Sequence, residues 1–205
     1  MNETTKHHWN ERFGNTEPEA LTWYQADNDT SLDLIRTHSG APGDSVIDIG
    51  AGAAGLAGDL IAAGFGDITL LDISERALRE SRCRLGDAAA PLSFCEADVT
   101  RWTPPRRWDI WHDRAVFHFL TDAAAQDAYL VALRAATAPG ALVLIATFSP
   151  EGPEKCSGLP VQRYGVADLA RRLGDGFRLL EGLQRDHVTP KGGRQNFTHA
   201  VLRRL

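Results

Sequence analysis

The chain has 205 residues, 43% hydrophobic and 24% charged, which suits one compact domain with a sizeable core. Its 22 basic and 27 acidic residues leave a formal charge of −5, which argues against general nucleic-acid binding, since phosphate neutralisation needs a broad basic face. No apolar run approaches the ~20 residues that span a bilayer, the polar first nine residues lack a signal peptide's apolar core, and Cys83, Cys95 and Cys156 form neither a disulfide framework nor a zinc pattern.

These bounds predict a single cytoplasmic domain over 1–205, a monomer or homodimer, with no membrane, nucleic-acid or metal partner. An aromatic-rich segment with Trp9, Phe13, Trp23 and Tyr24 precedes a helix-like run at 31–37, so 1–40 reads as an amino-terminal lid or helical segment and 41–205 as the core. Ala41-Pro42-Gly43-Asp44 punctuates, and 45–49 reads as a buried strand. Residues 56–63 are helical with Gly64 at the stop. Strand two spans 68–71, and Ser74 can cap a helix over 75–85.

Strands follow at 92–95 and 108–111, then a helix over 123–136 with Asp122 as its cap and Pro139-Gly140 after it. Strand five, 142–147, is apolar throughout, as a central parallel strand should be. A long loop, 148–165, leads to a helix at 166–173, and two strands, 177–183 and 197–202, are joined through Pro190-Lys191-Gly192-Gly193. The alternation predicts an α/β, Rossmann-like, doubly wound sheet with helices on both faces. The final strand-turn-strand has no room for a crossover helix, so its second strand is expected to run antiparallel.

The densest chemistry lies at Val46-Ile47-Asp48-Ile49-Gly50-Ala51-Gly52-Ala53-Ala54-Gly55. Gly50, Gly52 and Gly55 have the spacing of a nucleotide-binding turn, where glycine permits positive φ and close approach of the backbone to a ligand. In a doubly wound sheet ligands bind at the carboxyl ends of strands, so Asp48, Asp72 and Asp98 should converge there. Asp72 lies 22 residues beyond Gly50, the distance expected for an acid that accepts from ribose hydroxyls. Asp98 is placed to accept from an adenine amino group, with Val99 supplying a backbone N–H. Asp48 sits where a pyrophosphate would be repelled, and favours a cationic cofactor with sulfonium and ammonium groups.

With Asp48-Ile49-Gly50-Ala51-Gly52, Leu71-Asp72-Ile73-Ser74, Glu96-Ala97-Asp98-Val99 and Trp108-Asp109-Ile110-Trp111-His112-Asp113, the chain resembles the class I S-adenosylmethionine-dependent methyltransferases. The resemblance implies a seven-stranded sheet in the order 3-2-1-4-5-7-6 with strand seven antiparallel. It implies S-adenosyl-L-methionine as cofactor and S-adenosyl-L-homocysteine as product. It also implies that Asp72 binds ribose, Ile73 packs on adenine, Asp98 and Val99 read the adenine edge, and Asp113 sits near the methionine part.

His8-Trp9-Asn10-Glu11-Arg12-Phe13 and Leu21-Thr22-Trp23-Tyr24 resemble the W-x-x-R-[YF] and W-Y signature of one methyltransferase subset. That subset includes lysine methyltransferases acting on elongation factor or citrate synthase, and small bacterial relatives. Trp9 and Phe13, four residues apart on a helix, share a face that can close over the cofactor or simply pack on the core. Asp113-Arg114-Ala115 is similar to the D-R-G/A start of thiopurine-methyltransferase-like enzymes.

His118 is the candidate general base, against the stronger competing reading of a packed histidine; His112, inside its strand, reads as structural. The long loop carries Glu151, Lys155, Cys156, Arg163 and Tyr164 toward the site, and Arg194 and Gln195 with Lys191 reach its rim. Cys156 is a candidate for a soft acceptor, with a quiet thiol favoured; solvated turn charges are favoured for the rim. The expected reaction is methyl transfer to a small-molecule N, S or O nucleophile. The alternatives are a protein lysine acceptor and a non-catalytic cofactor-binding partner protein.

Overall fold

The computed structural model describes residues 3–15, 21–22, 24, 29–38, 41–53 and 55–205. Its elements are α1 (Glu3–Asn15), α2 (Asp29–His38), β1 (Val46–Ile49), α3 (Gly55–Ala62), β2 (Ile68–Asp72), α4 (Glu75–Leu85), β3 (Ser93–Glu96) and β4 (Trp108–Arg114). There follow α5 (Ala123–Ala136), β5 (Thr137–Phe148), β6 (Lys155–Cys156), β7 (Leu159–Pro160), α6 (Val166–Leu173), β8 (Phe177–Val188) and β9 (Arg194–Arg204). Seven strands form one sheet in the order β3-β2-β1-β4-β5-β9-β8. Counted among themselves, these seven have the expected order 3-2-1-4-5-7-6, and β9 is antiparallel to both β5 and β8.

Alternation along the strands explains the two layers. Ile47, Ile49, Val143 and Ile145 face Leu130, Leu133, Leu169 and Leu173 of α5 and α6. Val46, Ile110, Leu142 and Leu144 face Leu34, Ile35, Leu56 and Leu60 of α2 and α3. Burying both faces requires near-continuous apolar strands, which is why β1 and β5 carry so few polar residues. The expected caps form: Ser74 Oγ accepts from the Ala77 N–H at 3.2 Å, and Asp122 Oδ1 from the Ala125 N–H at 2.9 Å.

Several boundaries differ from expectation: β4, β8 and β9 run longer than the expected 108–111, 177–183 and 197–202. Helix α5 passes directly into β5 at Thr137, whose hydroxyl donates to the Leu133 carbonyl at 2.7 Å, so Pro139-Gly140 lies within the irregular start of a strand. The long loop contains the β6–β7 hairpin, turned by Ser157 (φ 53°) and Gly158 (φ 83°). Two central residues at positive φ make the turn whose twist matches paired strands, and the Ser-Gly dipeptide was its sequence signal. Among the described residues no helix is long and apolar enough to cross a membrane.

Candidate functional site

At the carboxyl ends of the central strands lies a mostly apolar cavity that opens to solvent. Gly50, Gly52, Asp72, Ile73, Ala97 and Val99 line the side toward the sheet; Trp9, Phe13 and Phe119 close the other. Gly50 and Gly52 adopt φ of 65° and 57°, which L side chains rarely adopt. A Cβ on Gly50 would lie 2.1 Å from Val116 Cγ2, and one on Gly52 3.5 Å from Phe13 Cζ. Gly55 instead opens α3 with an exposed face and does not line the cavity. Gly50→Ala should therefore cost about 2–4 kcal/mol, from a left-handed backbone and an overpacked contact. An unchanged urea midpoint would contradict this reading of the turn.

Asp72 ends β2 and lies in the cavity wall. Its Oδ2 accepts from the Gly52 N–H at 2.9 Å and its Oδ1 from the Ser74 N–H at 2.8 Å, so it ties the glycine turn to the start of α4. Burial pushes its carboxyl up to about 6, with these N–H groups pulling the other way. Asp98 lies between Ala97 and Val99, which both line the cavity, and its Oδ1 accepts from the Thr100 N–H and hydroxyl at 2.9 and 2.7 Å.

Several residues expected at the ligand sit elsewhere. Asp48 points to the α2 face, where Oδ1 and His112 Nδ1 are 2.6 Å apart and His112 Nε2 meets Ser31 Oγ at 3.0 Å; it does not line the cavity. Asp113 is fully buried on the opposite face and accepts from the Val116 N–H at 2.9 Å, the Phe117 N–H at 3.1 Å and the Tyr129 hydroxyl at 2.6 Å. Tyr129 in turn accepts from Trp111 Nε1 at 2.8 Å, so Asp113 anchors the turn after β4 rather than a ligand.

His118 is also fully buried, wedged between Phe119 and Phe148, with Nδ1 accepting from the Phe148 N–H at 3.3 Å. Burial, then the charge of Arg114, push its imidazole down to about 3. A group so weakly basic and outside the cavity wall does not serve as the expected base. Tyr24 lies against the Arg84 guanidinium, 5.6 Å from its ring, and not over the cavity. Trp23 lies outside the described residues.

Helix α1 is held over the cavity from both sides. Asn10 Oδ1 accepts from the Ser74 hydroxyl at 2.8 Å, Arg76 donates to the Asn10 carbonyl at 3.3 Å, and Lys6 pairs with Glu96. Across the opening, Arg12 donates to the Ser157 carbonyl at 3.0 Å, joining α1 to the β6–β7 hairpin. Trp9 packs edge-on against Phe119, ring centroids 5.1 Å apart. Asn10 was missed by sequence reasoning, which weighed only the aromatic stripe beside it.

Arg114, Ala115 and Cys156 complete the wall. Ala115 holds φ 70°, a strained value for a residue with a Cβ. Burial pushes the Cys156 thiol up to about 11, so it is neutral near pH 7. Arg163 is spent on its own loop, donating to the carbonyls of Pro150 and Gly152 at 2.9 and 3.1 Å. Exposed Arg194 pairs with Asp186 at 3.4 Å, and Gln195 lies beside it on β9; neither reaches the cavity wall. Among the described residues no group of three or more His, Cys, Asp or Glu could hold a metal ion.

Residues 46–140, a little under half the chain, match the family model described as a methyltransferase domain. No curated protein matches the chain. A solved SAM-dependent methyltransferase from Anabaena variabilis is similar at 15% identity and TM-score 0.77, covering 100% of this chain and 96% of that one. The N-methyltransferase NodS from Bradyrhizobium japonicum, solved with S-adenosylhomocysteine, is 15% identical with TM-score 0.75, covering 98% and 99%. The 1,6-didemethyltoxoflavin-N1-methyltransferase of Burkholderia thailandensis is 19% identical with TM-score 0.70, covering 98% and 84%. At such identities the likeness concerns the fold.

Proposed function

We propose that this chain is a class I methyltransferase that uses S-adenosyl-L-methionine to methylate a small-molecule N, S or O nucleophile, leaving S-adenosyl-L-homocysteine. The observation that carries the reading is the cavity over Gly50 and Gly52, with Asp72 in its wall and α1 across its opening. A cradle that any Cβ would narrow, next to a carboxylate with room for further donors, fits a ribose and an amino-acid moiety. The methyltransferase-domain match and the similar fold of NodS support the same reading. So does the W-x-x-R-F pattern, whose Trp9 and Phe13 line the cavity.

In this reading Asp72 accepts from the ribose hydroxyls, and Ile73 packs on adenine. Asp98 and Val99 take the adenine edge, and the backbone at Gly50 and Gly52 approaches the methionine part. Asp48 acts at one remove, fixing β1 to β4 through His112 beneath the turn. When bound, the donor supplies a methyl already activated by its sulfonium, so the acceptor lone pair forms a bond to carbon as the carbon–sulfur bond breaks. The protein's part is alignment and exclusion of water, with Trp9, Phe13 and Phe119 as the apolar cover. Since His118 lies outside the wall and Cys156 is neutral, an acceptor that is a neutral amine or a thiolate suits the site best.

The test is incubation of the protein with methyl-labelled donor and separate small-molecule and protein fractions of a cell extract. Label in the small-molecule pool is the expected outcome. Label on a protein lysine would replace this reading with the lysine-directed alternative. Label in neither pool, despite donor binding, would favour a non-catalytic binding protein.

A further inference from the structure

Helix α1 covers the cavity but is held unequally along its two edges. One edge rests on α4, the element against which α1 chiefly packs. There Asn10 Oδ1 accepts from the hydroxyl of Ser74, a wholly buried residue, at 2.8 Å. Arg76 donates to the Asn10 carbonyl at 3.3 Å, and Lys6 pairs with Glu96 at the end of β3. This edge adjoins Asp72, which accepts from the Ser74 N–H. The opposite edge meets the β6–β7 hairpin through Arg12, whose exposed guanidinium donates to the Ser157 carbonyl at 3.0 Å. His8, one turn earlier, faces the same carbonyl, yet its Nε2 is buried with no hydrogen-bond partner among the described residues. A hydrogen bond open to water contributes little net stability, and a buried unsatisfied nitrogen subtracts from it. The hairpin edge is the weaker one.

The hairpin itself is braced. Cys156 packs with Ala146, Phe148 and Phe197, and the Val161 N–H donates to the Glu154 carbonyl across the hairpin base at 3.1 Å. The next N–H, of Gln162, donates to the His118 carbonyl at 2.8 Å. When the seam parts, α1 is therefore the side that moves. Beneath the seam lie buried Cys156 and Phe119, against which Trp9 packs edge-on. The strand order β3-β2-β1-β4-β5 decides what the seam opens onto. Ala97 and Val99 follow β3 and Ile73 follows β2, whereas Ala115 follows β4 and the hairpin follows β5. The seam thus stands over the end of the cavity opposite Ile73, Ala97 and Val99.

We propose that the seam between Arg12 and Ser157 is the acceptor's entrance. Helix α1 lifts from the hairpin while it stays docked on α4, so the acceptor enters and the methylated product leaves with S-adenosylhomocysteine still enclosed. This rests on the methyl-transfer reading above. Parting the seam breaks an exposed hydrogen bond and the Trp9–Phe119 contact, and it keeps the shielded Asn10–Ser74 bond beside Asp72. The two ligands then exchange through different edges of one helix, in the order acceptor product first and donor product second.

Cys156 reports the opening, since it is buried beneath the seam. The protein, saturated with S-adenosylhomocysteine, is labelled with N-ethylmaleimide and read peptide by peptide by mass spectrometry, with exposed Cys83 as the reference. Release of radiolabelled S-adenosylhomocysteine is timed in parallel by an unlabelled chase. Arg12→Ala should speed Cys156 labelling roughly threefold or more, the effect of one hydrogen bond, and change ligand release by less than about twofold. Arg12→Lys, which can still donate, should give a smaller rise. Asn10→Ala should speed ligand release roughly threefold or more. Half-buried Cys95 in β3 should keep its wild-type rate, and a rise there equal to that at Cys156 would mean general unfolding and count against the seam. Unchanged Cys156 labelling in Arg12→Ala overturns the proposal. So does ligand release that quickens as much as labelling, because α1 then leaves as one body. If S-adenosylhomocysteine does not bind, the donor reading fails, and labelling of wild type against Arg12→Ala without ligand still decides the seam. If it binds and labelling does not move, the seam proposal alone fails.

Discussion

Asp113→Ala is expected to lower stability by about 3–5 kcal/mol, the cost of breaking a buried charge-assisted network. The substitution leaves the Tyr129 hydroxyl and the N–H groups of Val116 and Phe117 without their acceptor in a fully buried site. Urea unfolding measures it. Asp113→Asn should cost far less, because its carbonyl oxygen keeps the backbone bonds. A folded Asp113→Ala protein of wild-type stability that has lost only donor binding would restore this residue to the ligand.

The same carboxyl gives a pH signature. Burial pushes Asp113 up to about 6, above the ~3.9 of an unfolded chain. Between those values the native state keeps a proton that the unfolded state has released, so this group's contribution to stability falls as pH rises from about 4 to about 6. A two-unit shift amounts to at most about 3 kcal/mol. Asp113→Asn removes that slope, and unfolding midpoints followed across the window should differ from wild type in this sense.

Asp72→Ala should weaken S-adenosylhomocysteine binding by about 1–3 kcal/mol, the worth of a charge-assisted hydrogen bond, or roughly 5- to 150-fold. The ribose hydroxyls would donate to the ionised carboxylate, and Asp72 titrates near 6 without them. Binding should then release a proton below about pH 6, and affinity should fall as pH drops, by up to about tenfold per unit. Asp72→Asn flattens the pH dependence, but its single carbonyl oxygen can accept from only one of the Gly52 and Ser74 N–H groups, so part of the affinity is lost with the turn. Calorimetry giving wild-type affinity for both variants would remove the ribose from this carboxylate.

The alternation of strands and helices and the glycine turn were legible because they follow short-range rules, whereas the strand order followed only from the resemblance to the class I methyltransferases. Apolar runs bounded by turn residues place β1, β2 and β5, and a strand-turn-strand without a helix makes β9 antiparallel. Asp72 was legible by its distance from Gly50, since the fold repeats that spacing wherever one strand, one helix and the next strand follow each other. The misplacements of Asp48 and Asp113 share one cause. Along β4, Ile110 and His112 face α2, while Trp111 and Asp113 face α5. Parity separates the two sets in sequence, yet it does not say which face opens onto a ligand.

Thus the sequence by itself determined the alternating strands and helices, the turn and the carboxylate beside it, all of which depend on near neighbours in the chain. Only the tertiary structure decided what becomes of the remaining polar residues. Asp48 meets His112 across 64 positions, and Asn10 meets Ser74 across another 64. Tyr129 takes up Asp113, and α1 joins the β6–β7 hairpin through Arg12. A buried polar group must find a partner, and which partner it finds depends on packing between elements distant in the chain.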